Sequence, residues 1–222
     1  MQSPPPLPSL IKPFMEGNLA ILGKRGSGKT TLALQACSFR EHGLIIDTLG
    51  DIQSGSPIQY SELHRLNEWR RLDIPREAER LGVGIDNLAG CAFTAVVRLA
   101  RAQLLPRPFT LFVDEADSYG SAAWNNEALR EAARYGRHWG IQYIVTARRY
   151  AEIPKDWTAN ADLVLMGPSL DPADAEVVRR IAGDYSRNWA IIKQPYFLGI
   201  SLDGPGLYVY NSIDRTIEAE SL

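Results

Sequence analysis

Residues 23–30 read Gly23-Lys24-Arg25-Gly26-Ser27-Gly28-Lys29-Thr30, the spacing G-x-x-x-x-G-K-T. Glycines in such a turn let successive backbone N–H groups point at one anion. A helix beginning near Lys29 adds the positive end of its dipole. Lys29 can reach the β- and γ-phosphates of a nucleotide, and the Thr30 hydroxyl can ligate Mg²⁺. The candidate contacts therefore run through Gly23, Lys24, Arg25, Gly26, Ser27, Gly28, Lys29, Thr30 and Thr31, with ATP and Mg²⁺ as the implied ligands. The bland alternative is a glycine-rich turn before an ordinary helix. The flanks favour the phosphate loop: an apolar run, Leu19 to Leu22, precedes it, and a helix-like stretch, Thr31 to Cys37, follows.

A second constellation lies downstream. Phe109-Thr110-Leu111-Phe112-Val113 runs directly into Asp114-Glu115. In a parallel sheet, ligands sit beyond the carboxyl ends of the strands, so Asp114 should emerge beside the loop at 23–30. Asp114 is then the second candidate metal ligand, holding Mg²⁺ through water. Glu115 can polarise a water for attack on the γ-phosphate. An acidic pair that merely opens a polar turn is the alternative, and the phosphate loop upstream weighs against it. The second acid separates motor-type hydrolases from most P-loop kinases and GTPases.

The elements that must position these residues are legible in outline. Gly43 to Asp47 reads as a buried strand, and 50–60 as a loop with Gly50, Gly55 and Pro57. Residues 69–74 alternate weakly and suit a strand stopped by Pro75, which equally can open a helix through Leu81. Apolar residues from Ala92 to Leu104 recur at helical spacing, and Pro106 and Pro108 end that helix. Helix 126–139, strand 141–146, strand 161–166 and helix 172–182 follow, the last with Asp171 as a candidate cap. Short strands at 190–192, 196–201 and 207–210, with a turn at Asp203-Gly204, form an antiparallel trailing piece. Alternating strands and helices imply an α/β fold with a mostly parallel central sheet covered on both faces. The expected organisation is a proline-rich N-terminal arm over 1–16, a core over 17–185, and a β extension over 186–222 packed on the core.

Composition bounds the partners. The 222 residues carry 24 basic and 26 acidic side chains, a formal charge of −2. The chain is not a bulk polycation, so any nucleic acid contact must use a local patch or an assembled ring. Cys37 and Cys91 give neither a disulfide framework nor metal-ligand spacing, and Cys37 reads as a small buried apolar residue. No apolar stretch approaches the length of a membrane span. The start, Met1 to Pro8, lacks the pattern of a signal peptide and reads as an extended arm, either docking or disordered.

The segment Ala132-Ala133-Arg134-Tyr135-Gly136-Arg137-His138-Trp139-Gly140-Ile141, continuing through Thr146-Ala147-Arg148-Arg149, resembles the FtsK–HerA superfamily of ring-forming DNA translocases. The likeness covers roughly 17–185, and it includes Ile153-Pro154 and Asn160-Ala161-Asp162. With this length, the chain looks most similar to the genome-packaging ATPases of membrane-containing tailless icosahedral viruses. The resemblance implies a RecA-like P-loop NTPase that hydrolyses ATP to move DNA, sequence-independently and as a duplex. It implies a homo-oligomeric ring of six subunits, a capsid or viral membrane protein as partner, and a place in the host cytoplasm and at the packaging vertex of the virion. The family usually places Gln at a sensor position after the strand; here Thr146 and Arg148 share the candidacy. Arg137 matches the family's arginine finger, which reaches a neighbour's site, and Arg134 is its backup; a surface salt bridge to Glu127 or Glu131 is the alternative. Candidate pore segments are Tyr119 to Asn126, with Trp124, and the basic stretch Arg65, Arg70, Arg71, Arg76 and Arg80. Other readings stay open: a cellular or plasmid DNA translocase or helicase, a small-molecule phosphotransferase, or an ATP-dependent assembly protein.

Overall fold

The computed structural model describes residues 12–119, 126–169, 171–190, 196–201, 204–211 and 216–221. Strand β1 (Leu19–Leu22) enters the phosphate loop, and helix α1 (Lys29–Ser38) leaves it. Then come β2 (Gly43–Asp47), β3 (Ser56–Pro57), a 3-10 turn (Tyr60–Arg65), β4 (Arg70–Asp73), α2 (Ile74–Leu81) and α3 (Ile85–Arg101). Strand β5 (Phe109–Val113) ends at the acidic pair, and a 3-10 turn (Ala116–Ser118) follows. Helix α4 (Glu127–Tyr135) tightens into a 3-10 turn (Gly136–Trp139) before β6 (Ile141–Ala147). The chain continues through α5 (Lys155–Ala159), β7 (Leu163–Met166), α6 (Pro172–Ala182), a 3-10 turn (Gly183–Tyr185) and α7 (Ser186–Trp189). Strands β8 (Tyr196–Ser201), β9 (Gly204–Asn211) and β10 (Thr216–Ser221) end the described chain.

The described strands form one sheet in the order β10-β9-β8-β7-β1-β6-β5-β2-β4-β3. From β7 to β3 every neighbouring pair is parallel, and β7-β8, β8-β9 and β9-β10 are antiparallel. The reason is in the strand sequences. LAIL, FTLFV and LVLM are buried at every position, so they suit only a sheet covered on both faces. Alternate residues serve opposite layers. Leu22, Ile46, Val113, Val145 and Met166 pack with α3, α4 and α6. Leu19, Ile21, Ile45, Phe112, Ile144 and Leu165 pack with α1, Phe14 and Phe197. Cys37 lies in that second layer, and burial pushes its thiol up to about 12.

Local signals explain most boundaries. Asp73 caps α2 by accepting from the Arg76 N–H, with Pro75 in the first turn, so both readings of 69–81 hold: a strand, then a helix opened by proline. Asp171 accepts from the Ala173 N–H and caps α6. Several boundaries differ from those expected. Helix α3 starts at Ile85, ahead of the expected stretch, with Ile85 to Asn87 exposed and Leu88 the first buried residue, and it stops at Arg101 rather than 104. The regular helix expected over 126–139 gives way to a 3-10 turn at Gly136, where a Cβ would lie 3.2 Å from Ile141. The loop expected over 50–60 contains the two-residue edge strand β3. Residues 1–11 of the arm expected over 1–16, residues 120–125 around Trp124, residues 191–192 of the strand expected over 190–192, and Asp203 of the expected turn fall outside the described residues. Among the described residues no single helix is long and apolar enough to cross a membrane.

Candidate active site

The phosphate loop sits at the carboxyl end of β1, between β6 and β7. Its base is held by the Gly23 N–H to the Ala147 carbonyl at 3.1 Å and the Gly167 N–H to the Leu22 carbonyl at 2.7 Å. Gly28, at φ 90° and ψ 10°, is the left-handed residue that turns the loop into α1, and no side chain caps that helix end. The first N–H groups of α1 therefore point into the loop, as an anion requires. Lys24, Arg25 and Thr31 are exposed, whereas Ser27 and Lys29 are buried. The Ser27 hydroxyl has no hydrogen-bond partner although it is buried, so the cradle holds a polar atom awaiting one.

Strand β6 lies between β1 and β5, and it brings the two halves of the site together. Thr30 Oγ1 donates to Asp114 Oδ1 at 3.0 Å. Thr146 Oγ1, from the end of β6, donates to the same oxygen at 2.7 Å. Thr146 also accepts from the Glu115 N–H at 2.9 Å. The Thr48 hydroxyl, at the end of β2, donates to the Asp114 carbonyl oxygen. Glu115 has φ 51° and ψ 50°, a left-handed conformation that non-glycine residues adopt at a cost of about 1–3 kcal/mol and that clusters at functional sites.

Charge is concentrated around Glu115. Lys29 Nζ lies 3.8 Å from Oε1 and donates to the Lys24 carbonyl at 3.3 Å. Arg148 Nε lies 2.6 Å from Oε2 and 3.5 Å from Asp117 Oδ2. Burial raises the Glu115 carboxyl above its ordinary value; Asp117 and Asp114 add to this, and Lys29 and Arg148 oppose it. Burial also raises Asp114, against the hydrogen bonds from Thr146 and Thr30. A glutamate moved toward neutrality is better matched to general-base work.

These residues fit Mg²⁺ and a triphosphate. Thr30 and Asp114, the two expected metal ligands, are hydrogen-bonded to each other, so an ion entering between them meets both. No cluster of three or more His, Cys, Asp or Glu able to hold a metal occurs among the described residues. An ion here must complete its shell with phosphate and water oxygens, as Mg²⁺ does.

No protein-family model matches the sequence, and no curated protein is significantly similar to it. Solved structures are. The genome-packaging NTPase B204 of Sulfolobus turreted icosahedral virus 2, in complex with AMPPCP, superposes with a TM-score of 0.68 at 17% identity, over 94% of this chain and 98% of that one. The two chains share a fold. The pCW3 conjugation coupling protein TcpA matches at TM-score 0.58 and 14% identity over 87% of this chain and 60% of that one. VirB4 of Thermoanaerobacter pseudethanolicus matches at TM-score 0.58 and 13% identity over 85% and 87%. The α/β architecture expected from the sequence is therefore one that these three proteins share.

The remaining sequence candidates lie elsewhere. Arg137 pairs with Asp162, whose other oxygen accepts from the Asn18 N–H at 2.7 Å. This cluster precedes β1 and β7, at the amino ends of the strands and the opposite edge from the phosphate loop. Arg134 binds Asp156 at 2.8 Å on the same side. Neither arginine pairs with Glu127 or Glu131, which bind Arg130 and Arg101 instead. Within the basic stretch, Arg65, Arg70, Arg71 and Arg80 pair with Glu62, Glu68, Asp47 and Glu77. The sequence reading missed Asp117, Thr48 and Tyr150. The Tyr150 hydroxyl reaches the Leu22 carbonyl at 3.0 Å and the Gly167 carbonyl under the loop. Only Asp117 carried a signal, a third carboxylate two residues beyond Glu115.

Proposed function

We propose that this protein is an ATP-hydrolysing DNA translocase of the kind that moves a viral genome into a preformed capsid. One observation carries the reading: the phosphate-loop Thr30 is hydrogen-bonded to Asp114, and Glu115 follows with its backbone fixed by Thr146. That arrangement supplies the parts of a hydrolytic site. Lys29 and the loop N–H groups bind the triphosphate, Thr30 and Asp114 hold Mg²⁺, and Glu115 accepts the proton of the attacking water. As the water oxygen bonds to the γ-phosphorus, the bond to the bridging oxygen breaks and ADP leaves. Bound Mg²⁺ supplies neutralisation of charge on the phosphate oxygens.

The packaging assignment is supported by the match in length and fold to B204. A cellular or plasmid translocase is the second reading, favoured by the likeness to TcpA and VirB4. It is the weaker one, because both superpose at a TM-score of 0.58 against 0.68 for B204, and the chain covers 60% of TcpA and 87% of VirB4 against 98% of B204. In the proposed assembly, subunits form a ring, six by resemblance, with a capsid or viral membrane protein as partner. The protein works in the host cytoplasm and at the packaging vertex. Arg137, at the edge remote from its own site, faces a neighbour's nucleotide, with Arg134 as alternate. DNA is held through its phosphates, independent of sequence. The test is ATP turnover with duplex and single-stranded DNA across salt concentrations. Duplex DNA should raise turnover severalfold, and the stimulation should fall steeply with salt. Turnover indifferent to DNA at low salt contradicts the translocase reading.

A further inference from the structure

Asp117 has a buried carboxylate that the proposed hydrolysis leaves without a task. Its side chain is 2% exposed, and its Oδ1 has no hydrogen-bond partner. Its Oδ2 faces Arg148 twice, 3.4 Å from the backbone N–H and 3.5 Å from Nε. The same Nε stands 2.6 Å from Glu115 Oε2, yet that oxygen also lacks a hydrogen-bond partner, because the approach is close but misaligned. Two buried carboxylates thus compete for one guanidinium, and neither is satisfied by it.

The three groups differ in freedom to move. Glu115 is fixed through its N–H on Thr146 and its left-handed backbone. Asp117 lies in the 3-10 turn that follows. Arg148 has a side chain 46% exposed, and its backbone is already tethered to Asp117. A rotation of its long side chain alone carries the guanidinium from one carboxylate to the other. Lys29 faces the other oxygen, Oε1, at 3.8 Å; were it to turn to phosphate, as the hydrolytic reading requires, Arg148 would be the cation left on the carboxylate.

We propose that Asp117 and Arg148 position Glu115 as a two-position rest: Arg148 on Glu115 holds the carboxylate away from water, and its transfer to Asp117 releases it. This rests on the hydrolytic reading above. Arg148 is here a positioning residue acting through Glu115, and Asp117 is its landing site.

The test is steady-state ATP turnover of the full chain, with duplex DNA present, for the unaltered protein, Asp117→Asn, Arg148→Ala, Arg148→Lys and Asp117→Asn/Arg148→Ala. Losing the landing site should lower kcat roughly tenfold or more, a share of the 10²–10⁴ a general base contributes, with KM for ATP within about twofold. Adding Arg148→Ala to Asp117→Asn should recover kcat at least about threefold over Asp117→Asn alone, since non-additivity is the mark of groups acting as a unit. Arg148→Lys, which keeps the charge, should be slowed again when Asp117→Asn is added to it, whereas Arg148→Ala should not. Unchanged kcat in Asp117→Asn overturns the proposal, as does a double variant no faster than Asp117→Asn. A raised KM in Arg148→Ala, with the double variant slower than either single, assigns Arg148 to the γ-phosphate and also overturns it. Lys29→Ala is the control. If the unaltered protein shows no turnover that Lys29→Ala abolishes, the hydrolytic reading falls and this proposal with it.

Discussion

Asp114 Oδ1 accepts two hydroxyl hydrogen bonds, and the donors come from a helix and a strand that the sequence separates widely. Thr30 leaves the phosphate loop and Thr146 ends β6. Thr146 does a second job by accepting the Glu115 N–H, so one hydroxyl fixes both acids. Its full burial and complete bonding suit it to holding the acidic pair, while Arg148 occupies the position nearer water. Thr146→Val keeps the shape and removes both bonds. It should cost about 1–3 kcal/mol, the penalty for leaving a buried donor unpaired, measured by urea unfolding. Turnover should fall with it, because Glu115 loses its anchor. The motif residues were legible because their types are few and their spacing fixed. Thr48 and Tyr150 were not, since each acquires its role only when a distant strand delivers a carbonyl beside it, and the Asp117 signal gains meaning only when the end of β6 brings Arg148 to it.

At the level of elements, the phosphate loop depends on how β1 passes into α1. Gly28 makes the turn at φ 90°, with nothing within 4 Å of a Cβ built there. Gly28→Ala therefore tests backbone conformation rather than packing. It should destabilise the protein by about 1–2 kcal/mol through the left-handed penalty and weaken ATP binding as the loop relaxes. Thermal unfolding and calorimetry with ATP check the two parts. Wild-type stability in this variant contradicts the loop geometry. The strands β1, β2, β5 and β7 were readable because runs buried on both faces are short, apolar and bounded by polar residues. Elements without that signal were missed. Strand β3 has two exposed residues and forms only because β4 offers an edge, and α5 has five residues around the buried Trp157. The antiparallel pairing of β8 and β9 was expected from the Asp-Gly pair in the sequence between them, whereas β10 was not foreseen.

For the whole molecule, the sheet places two chemistries at opposite edges. The phosphate loop and acids lie past the carboxyl ends of the strands, and the Arg137–Asp162 pair lies before the amino ends. The four residues of β1 span about 13 Å between them. Arg137 does not reach its own phosphate loop and is paired with Asp162; the proposed trans role would require it to leave that pair for another subunit's site. Arg137→Ala and Glu115→Gln should each be nearly inactive alone. Mixed, they should regain turnover, because a Glu115→Gln subunit lends its Arg137 to a neighbour with an intact Glu115. No recovery on mixing contradicts trans action without touching the site itself. The most direct measurement of the central claim, that the loop and Asp114-Glu115 form one hydrolytic site, is calorimetric ATP affinity beside steady-state turnover for three proteins. The unaltered chain should bind and hydrolyse, Glu115→Gln should bind comparably with turnover lowered roughly 10²–10⁴-fold, and Lys29→Ala should lose binding. Full turnover in Glu115→Gln, or unchanged affinity in Lys29→Ala, contradicts it.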